Sequence, residues 1–195
     1  MADLAFLWHM HQPDYRHPET GQFILPWVLL HAIKDYSDMA AHLERHPEIR
    51  CTVNFVPVLL DQIEDYVAQF TSGHWRDPLL RIVSTPEPHN LPAADRDWLL
   101  DMAFRCHAPT MIDPYAPFRR LRDTLACVRA HDGNGLNYLS GAYMADLVTW
   151  YLLTWTGESL RRHGKVIPEL MARGVNFTLA DRQALLDELG STMAG

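Results

Sequence analysis

The chain has 195 residues, of which 17 are lysine or arginine and 24 are aspartate or glutamate, giving a formal net charge of −7. It is long enough to bury a core, yet an eight-stranded α/β barrel typically needs about 250 residues. An excess of acidic residues does not attract nucleic acid or anionic membranes, so neither is expected as a partner. The charge is compatible with an uncharged substrate.

The cysteine pattern and the start of the chain indicate a cytoplasmic protein. Cys51, Cys106 and Cys127 form neither a metal-binding spacing nor a disulfide framework. Met1-Ala2-Asp3 leads directly into an apolar segment, so no signal peptide is expected. No apolar run approaches the ~20 residues of a membrane span. The oligomeric state is left open.

The first structured stretch, Leu4–Tyr15, changes from apolar to polar within a few residues (LAFLWHMHQPDY). A short apolar run that is not amphipathic predicts a strand buried on both faces of a parallel sheet. His9 and His11 are two apart and therefore point the same way, and Pro13 ends the ladder. Because ligands bind at the carboxyl ends of such strands, both histidines are candidate functional residues, the alternative being hydrogen-bonded structural residues.

A helix and a second strand follow. The apolar spacing predicts a helix over residues 26–46, and the alternation of Ile49, Cys51, Val53 and Phe55 predicts a strand that Pro57 closes. One right-handed βαβ unit would place Asn54 beside His11 at the same edge of the sheet. Asn54 could then donate to a ligand, or it could cap the next helix.

The remainder of the chain predicts helices. One runs from Leu59 to Phe70 and ends near Ser72-Gly73. Frequent prolines divide residues 74–137 into short helices, at 94–106 and 117–130, with a turn at 133–135, which we interpret as a helical insertion. Residues 138–195 predict two further helices. Ser140 caps the first, which has one inner stripe, and Thr178 with Asp181 caps the second, which Gly190 ends.

Six segments of the chain resemble the N-terminal part of glycoside hydrolase family 57, whose members act on α-glucans as amylases, glucanotransferases and branching enzymes. The first signature of that family is a His-Gln-Pro triplet after the first strand, matched by His11, Gln12 and Pro13. The segments are WHMHQPDY, PWVLLHAIKDYSDMAAHL, NFVP, LLDQIEDY, YMADLVTWYLLTWTGESLRR and RGVNFTLADRQALLDEL. The resemblance implies an α/β fold, the N-terminal part of a (β/α) barrel with a helix-rich second half.

The resemblance also implies a site. It implies that His11 lines the sugar subsite next to the scissile bond, and that a retaining mechanism uses a glutamate nucleophile and an aspartate acid/base on later strands. We expect His11 and Gln12 to hold sugar hydroxyls and His9 to orient His11 or to reach the substrate. Asn54 is a further candidate donor to a sugar hydroxyl. Trp27 supplies an apolar face for the ring, since Trp8 lies within the predicted strand.

The catalytic carboxylates themselves are not assigned. Retaining hydrolysis needs two carboxyl groups about 5–5.5 Å apart, and the only carboxylate near a predicted strand end is Asp14. We therefore expect this chain to be a truncated, inactive N-terminal part of a longer enzyme that binds an α-glucan or an oligosaccharide. No cofactor and no metal are assigned.

Two other functions remain open. A His-x-His pair at the end of a first strand also begins the metal site of several metal-dependent hydrolases, with His9 and His11 as ligands. The further ligands would be Asp14 or one of four histidines, His31, His74, His89 and His107. The helix-rich second half would also suit a noncatalytic interaction module.

Overall fold

The computed structural model describes residues 4–131 and 135–194. Two strands, β1 (Leu7–Met10) and β2 (Thr52–Phe55), pair in parallel, with Leu7 opposite Thr52 and Met10 opposite Phe55. The connection between them is the predicted helix, observed as α1 (Trp27–His31), a π-helical turn (Ala32–Tyr36) and α2 (Ser37–Arg45). The α/β character of the N-terminal part is confirmed, whereas the two strands alone do not form a barrel.

The sheet differs from the prediction in its burial. Met10 is buried, but Leu7 is 64% exposed, and all four residues of β2 are exposed. The prediction of a strand buried on both faces is therefore wrong for the described chain. An apolar run indicates that burying the strand is favourable, but neighbouring elements must pack against the strand to bury it. Here, helices pack against only part of one face of the sheet.

The second half of the described chain is helical. After α3 (Pro57–Ser72), which ends at left-handed Gly73 as predicted, come nine elements, two of them single 3₁₀ turns. They are α4 (Pro78–Ser84), a turn at Pro88–Asn90, α5 (Ala93–Met102), α6 (Ala108–Met111), α7 (Ala116–His131), a turn at Gly135–Tyr138, α8 (Gly141–Thr154), α9 (Glu158–His163) and α10 (Val166–Arg173). The last helix is α11 (Leu179–Ala194). Of the turn predicted at 133–135, residues 133 and 134 lie outside the described residues.

Helix α8 is the centre of the core. Ser140 caps it by accepting from the backbone N–H of Tyr143 at 3.1 Å, as predicted. The predicted inner stripe is buried, but so is every other residue from Met144 to Thr154, because helices surround α8 on all sides. Periodicity identified the helix without revealing that its outer face is covered.

The last helix begins where predicted and ends later. Thr178 and Asp181 form the reciprocal capping box, each accepting from the other's backbone N–H. The helix continues through Gly190 to Ala194, so the predicted stop at Gly190 is wrong. A Cβ at Gly190 would lie 3.0 Å from the Phe70 ring, which shows that this glycine allows α11 to approach α3 closely.

Candidate functional site

Polar side chains from both strands meet at the carboxyl end of the sheet. His9 lies opposite Asn54 in the strand register, and its Nδ1 is 2.7 Å from the Asn54 Oδ1, so Nδ1 carries the proton that is donated. The helix that follows β2 is capped by Val56 without a side-chain hydrogen bond. The capping alternative for Asn54 is therefore excluded. The expected neighbour of Asn54 was His11, but the register places it beside His9.

His11 lies beside His9. The two imidazole rings are nearly parallel, with centroids 5.8 Å apart and an interplanar angle of 15°. Both histidines and Asn54 are exposed. His9 thus contacts both Asn54 and His11, and its expected role in orienting His11 stays a prediction.

Gln12 is held by two phenols. The Tyr15 hydroxyl donates to the Gln12 Oε1 at 2.8 Å, and the Gln12 Nε2 lies 3.5 Å from the Tyr36 hydroxyl. Tyr15 is half-buried, and this burial raises its pKa, so the phenol stays protonated and remains a donor. These two contacts orient the amide of Gln12, and its second N–H has no hydrogen-bond partner among the described residues.

A residue that the sequence analysis did not single out fixes this loop. Gln62 on α3 is fully buried, accepts from the backbone N–H of Tyr15 at 3.0 Å, and donates to the carbonyl of Pro13 at 2.9 Å. Its position on the inner face of an apolar helix, three residues after Leu59 and four before Tyr66, was the available signal. A buried amide there needs backbone partners, and the loop after β1 supplies them.

The Asp14 side chain stabilises the loop after β1 and is not a candidate catalytic group. Its Oδ1 accepts from the backbone N–H and the Nε of Arg16, and its Oδ2 lies 2.9 Å from the Arg16 Nη2. The hydrogen bonds from Arg16 hold the pKa of this carboxyl below its ordinary value. Arg16 also binds Asp61 and Asp65 on α3, which ties the loop to that helix.

Three more polar residues, His31, Lys34 and Asp35, lie in or next to the π-helical turn. This turn widens the helix by one residue between His31 and Tyr36, a feature frequent at functional sites. The His31 Nδ1 lies 2.5 Å from the Asp35 Oδ2, and the Lys34 ammonium donates to the Asp35 Oδ1 at 2.8 Å. The hydrogen bond from His31, together with Lys34, lowers the pKa of Asp35 to about 2, so this carboxylate is ionised.

Trp27 belongs to a row of rings that leads back to Gln12. Its ring centroid is 5.5 Å from that of Trp155, which in turn is 5.6 Å from the edge-on ring of His31. His31 lies 6.3 Å from Tyr36, the partner of Gln12. Trp155 is almost fully buried, and its indole N–H has no hydrogen-bond partner among the described residues. Trp27 is half-buried.

The structure thus groups the predicted residues in two sets. Asn54, His9 and His11 are in direct contact, and Gln12 and Trp27 are joined through the residues of the aromatic row, which we define as Tyr36, His31, Trp155 and Trp27. The two sets are adjacent in sequence, because His11 belongs to the first set and Gln12 to the second.

A model of one protein family matches most of this chain, residues 5–179, and the family is described as glycosyl hydrolase family 57. The chain belongs to glycoside hydrolase family 57. Membership implies a glycoside hydrolase or transferase at the family level, and hence a carbohydrate substrate. No curated protein and no solved structure gives a significant match to the chain.

The carboxyl groups near the site of this family 57 chain do not meet the requirements of a general acid in glycoside hydrolysis. A general acid needs a raised pKa and access to the glycosidic oxygen. Burial raises the pKa of Asp77 to about 6, but this side chain is fully buried, where it accepts from Tyr66 and caps α4. Asp14 and Asp35, which lie near the site, have lowered pKa values. Neither has the properties of the acid.

The described residues also form no metal site. Over residues 4–131 and 135–194, no group of three or more histidine, cysteine, aspartate or glutamate side chains is placed to hold a metal ion. Within those ranges, no further ligand joins His9 and His11 to complete a zinc site. Cys51, Cys106 and Cys127 are free thiols. Over the same residues, the helices are too short or too polar to cross a bilayer.

Proposed function

We propose that this chain is the N-terminal part of the catalytic barrel of a retaining glycoside hydrolase or glucanotransferase acting on α-glucans. The observation that carries the proposal is the exposed cluster of His9, His11 and Asn54 at the carboxyl end of a parallel strand pair. That edge is where α/β folds place their ligands. Family membership makes the ligand a carbohydrate. Residues 74–137 form a helical insertion in this proposal.

The contacts support a proposed set of substrate-binding residues. His11 offers an imidazole to sugar hydroxyls, and His9 holds it in place while Asn54 fixes the tautomer of His9. Gln12 donates through the N–H that Tyr36 does not use. Trp27 presents an apolar ring face, with Trp155 behind it, to the hydrophobic face of a pyranose. Imidazole, amide and indole groups suit a neutral, hydroxyl-rich ligand.

The catalytic step belongs to other strands in this proposal. A glutamate nucleophile and an aspartate acid/base are needed, and the carboxylates near the site are locked in ion pairs with Arg16 and with His31. The exposed face of β1 and β2, including Leu7, supports the existence of further strands that would cover it. The 195-residue chain alone is then inactive. The unpaired cysteines and the acidic charge are consistent with a cytoplasmic enzyme without nucleic-acid or membrane partners.

A binding titration tests the substrate-binding residues. The ¹⁵N-labelled chain is titrated with malto-oligosaccharide, and cello-oligosaccharide of the same length serves as the ligand control. We expect signals of His9, His11, Gln12 and Asn54 and the Trp27 indole to shift with the α-linked ligand, and His11→Ala to weaken binding about three- to tenfold, the effect of one hydrogen bond to an uncharged hydroxyl. Shifts confined to other regions would exclude this site.

An activity assay tests the assignment of the carboxylates. We expect no release of reducing sugar from α-glucan at any pH, because hydrogen bonds from imidazole and amide cannot replace a nucleophile and a general acid. Sustained hydrolysis that survives Asp14→Asn and Asp35→Asn would show that other carboxylates of this chain perform the reaction.

A further inference from the structure

Arg182 is a buried cation that contributes no side chain to the candidate site. It lies in the first turn of α11, is 2% exposed, and donates from Nη1 to the carbonyls of Val83 and Thr85 at 2.7 and 2.8 Å. Its Nε is buried without a hydrogen-bond partner among the described residues, and no carboxylate of those residues lies within ion-pair distance of it. Burial lowers the pKa of this guanidinium, which reflects the cost of removing its charge from water. A buried charge without a counter-ion is unusual.

The side chain of Arg182 lines a cavity of about 380 Å³. The other walls come from two helix N-termini, Gly141 and Ala142 of α8 and Leu179 of α11, and from the segment around His89. Ser140 and Thr178 accept one first-turn N–H each, those of Tyr143 and Asp181. The backbone N–H groups of Gly141, Ala142 and Leu179 have no such partner among the described residues. The positive ends of two long helices therefore meet at this cavity.

We propose that this cavity binds a phosphate group, either free phosphate or a small phosphate ester. Helix N-termini with free N–H groups bind phosphate readily, and an arginine in the same cavity supplies the opposite charge and further donors. The volume exceeds that of the ion, and Phe177 and Pro88 line the remaining space, which leaves room for an organic substituent.

The cavity also contains a carboxylate. Glu87 lines it, accepts from the Asn90 amide at 2.7 Å, and lies 3.7 Å from the His89 Nε2. Its side chain is 65% exposed, so its charge is screened by solvent far more than that of Arg182. Asp181, in the first turn of α11, is bound to Arg173 and Thr178. Arg182 is hydrogen-bonded to two carbonyls but has no oppositely charged partner among the described residues.

Calorimetric titration of the full chain tests the proposal, with inorganic phosphate and phenyl phosphate as probes at constant ionic strength. We expect saturable binding of one probe molecule per chain. Tighter binding of phenyl phosphate indicates an ester as the natural ligand, and equal binding indicates free phosphate. Arg182→Met should reduce the affinity about tenfold or more, since it removes a charge-assisted contact.

A second substitution keeps the test independent of folding, because Arg182→Met removes a buried group. Ala142 is exposed at the second position of α8, where an aspartate favours the helix and repels an anion. Ala142→Asp should therefore fold normally and lose affinity about tenfold or more, while the isosteric Ala142→Asn retains it within about threefold. Unchanged affinity in Ala142→Asp, or the absence of saturable millimolar binding by the unmodified chain, would overturn the proposal.

Discussion

Gln62 joins helix α3 to the loop after β1 by accepting from the backbone N–H of Tyr15 at 3.0 Å while donating to the carbonyl of Pro13 at 2.9 Å. The His-Gln-Pro triplet therefore owes its position to a buried amide some fifty residues later in the chain. No ligand-binding role for Gln62 is needed to explain why it is an amide.

The substitution Gln62→Leu should lower the free energy of unfolding by about 1–3 kcal/mol, because two backbone groups of the loop lose their buried partner. Urea denaturation measures the loss. Glu64→Gln, on the exposed side of the same helix, is the control and should stay within about 0.5 kcal/mol of the unmodified chain. Equal midpoints for both variants would show that water replaces the Gln62 amide without cost.

Asp77 should make stability fall as the pH rises. Burial raises its pKa to about 6, above the ordinary 3.8, so the folded chain binds a proton that the unfolded chain releases between these values. The contribution of this proton is complete below about pH 4 and is lost through pH 6, amounting to roughly 2–3 kcal/mol.

The variant Asp77→Asn isolates this effect, because asparagine is an equally good helix cap and does not titrate. The stability of the unmodified chain relative to the variant should decline from about pH 4 to about pH 6 and then stay level. Carboxylates with lowered pKa values, such as Asp35, are common to both proteins and cancel. Parallel stability curves from urea denaturation at each pH would contradict the assigned pKa.

His31 should control the ionisation of Asp35. Its hydrogen bond is the largest cause of the pKa of about 2, so His31→Gln should move that pKa toward the ordinary 3.8. Carboxyl ¹³C NMR on acidification reads this directly. His42→Gln, an exposed histidine that bonds Arg45 instead, should leave Asp35 unaffected. The stabilisation from ionised Asp35 is present above pH 3.8 and is lost as the pH falls through about 2.

Asp38 and Gly157 should be strongly coupled. The Asp38 carboxylate caps α9 by accepting from the backbone N–H groups of Glu158 and Ser159 and from the Ser159 hydroxyl. A Cβ at Gly157 would lie 2.6 Å from the Asp38 Oδ1. Gly157→Ala should therefore destabilise the chain by about 1–3 kcal/mol by disrupting the cap.

A double-mutant cycle separates this clash from the backbone effect of the glycine. In an Asp38→Ala background, Gly157→Ala should be neutral or stabilising by up to about 1 kcal/mol, because φ at Gly157 suits any residue and alanine restricts the unfolded chain. Additive effects of the two substitutions would show that the cap shifts freely away from the new methyl group.

His9 and His11 should not retain a transition metal, since the described residues supply no third ligand. Elemental analysis of chain purified without chelator should give far less than one metal per chain. About one tightly held zinc, lost in His9→Ala but kept in the exposed control His74→Ala, would instead favour a metal-dependent hydrolase.

Local patterns in the sequence predicted most helices and strands but not which other elements pack against them. The helix predicted at 26–46 is observed at 27–45, yet the π-turn that directs Tyr36 toward Gln12 has no sequence signature. Among the site residues, His9 and Asn54 were predicted from strand ends, and their contact follows from the register. The aromatic row was not predicted, because Trp155 reaches Trp27 only through tertiary packing. The predicted burial of Leu7 is wrong, because burial depends on elements packing against the strand, which no local sequence pattern encodes.

The complete burial of α8 has a consequence for how this protein tolerates variation. On a helix with one inner face, permissive positions recur with the helical period. From Met144 to Thr154 every direction meets another side chain or backbone. A saturation mutagenesis scan should therefore show an unbroken block of intolerance along this helix. Substitutions accepted there during divergence should come in compensating pairs with residues of the surrounding helices.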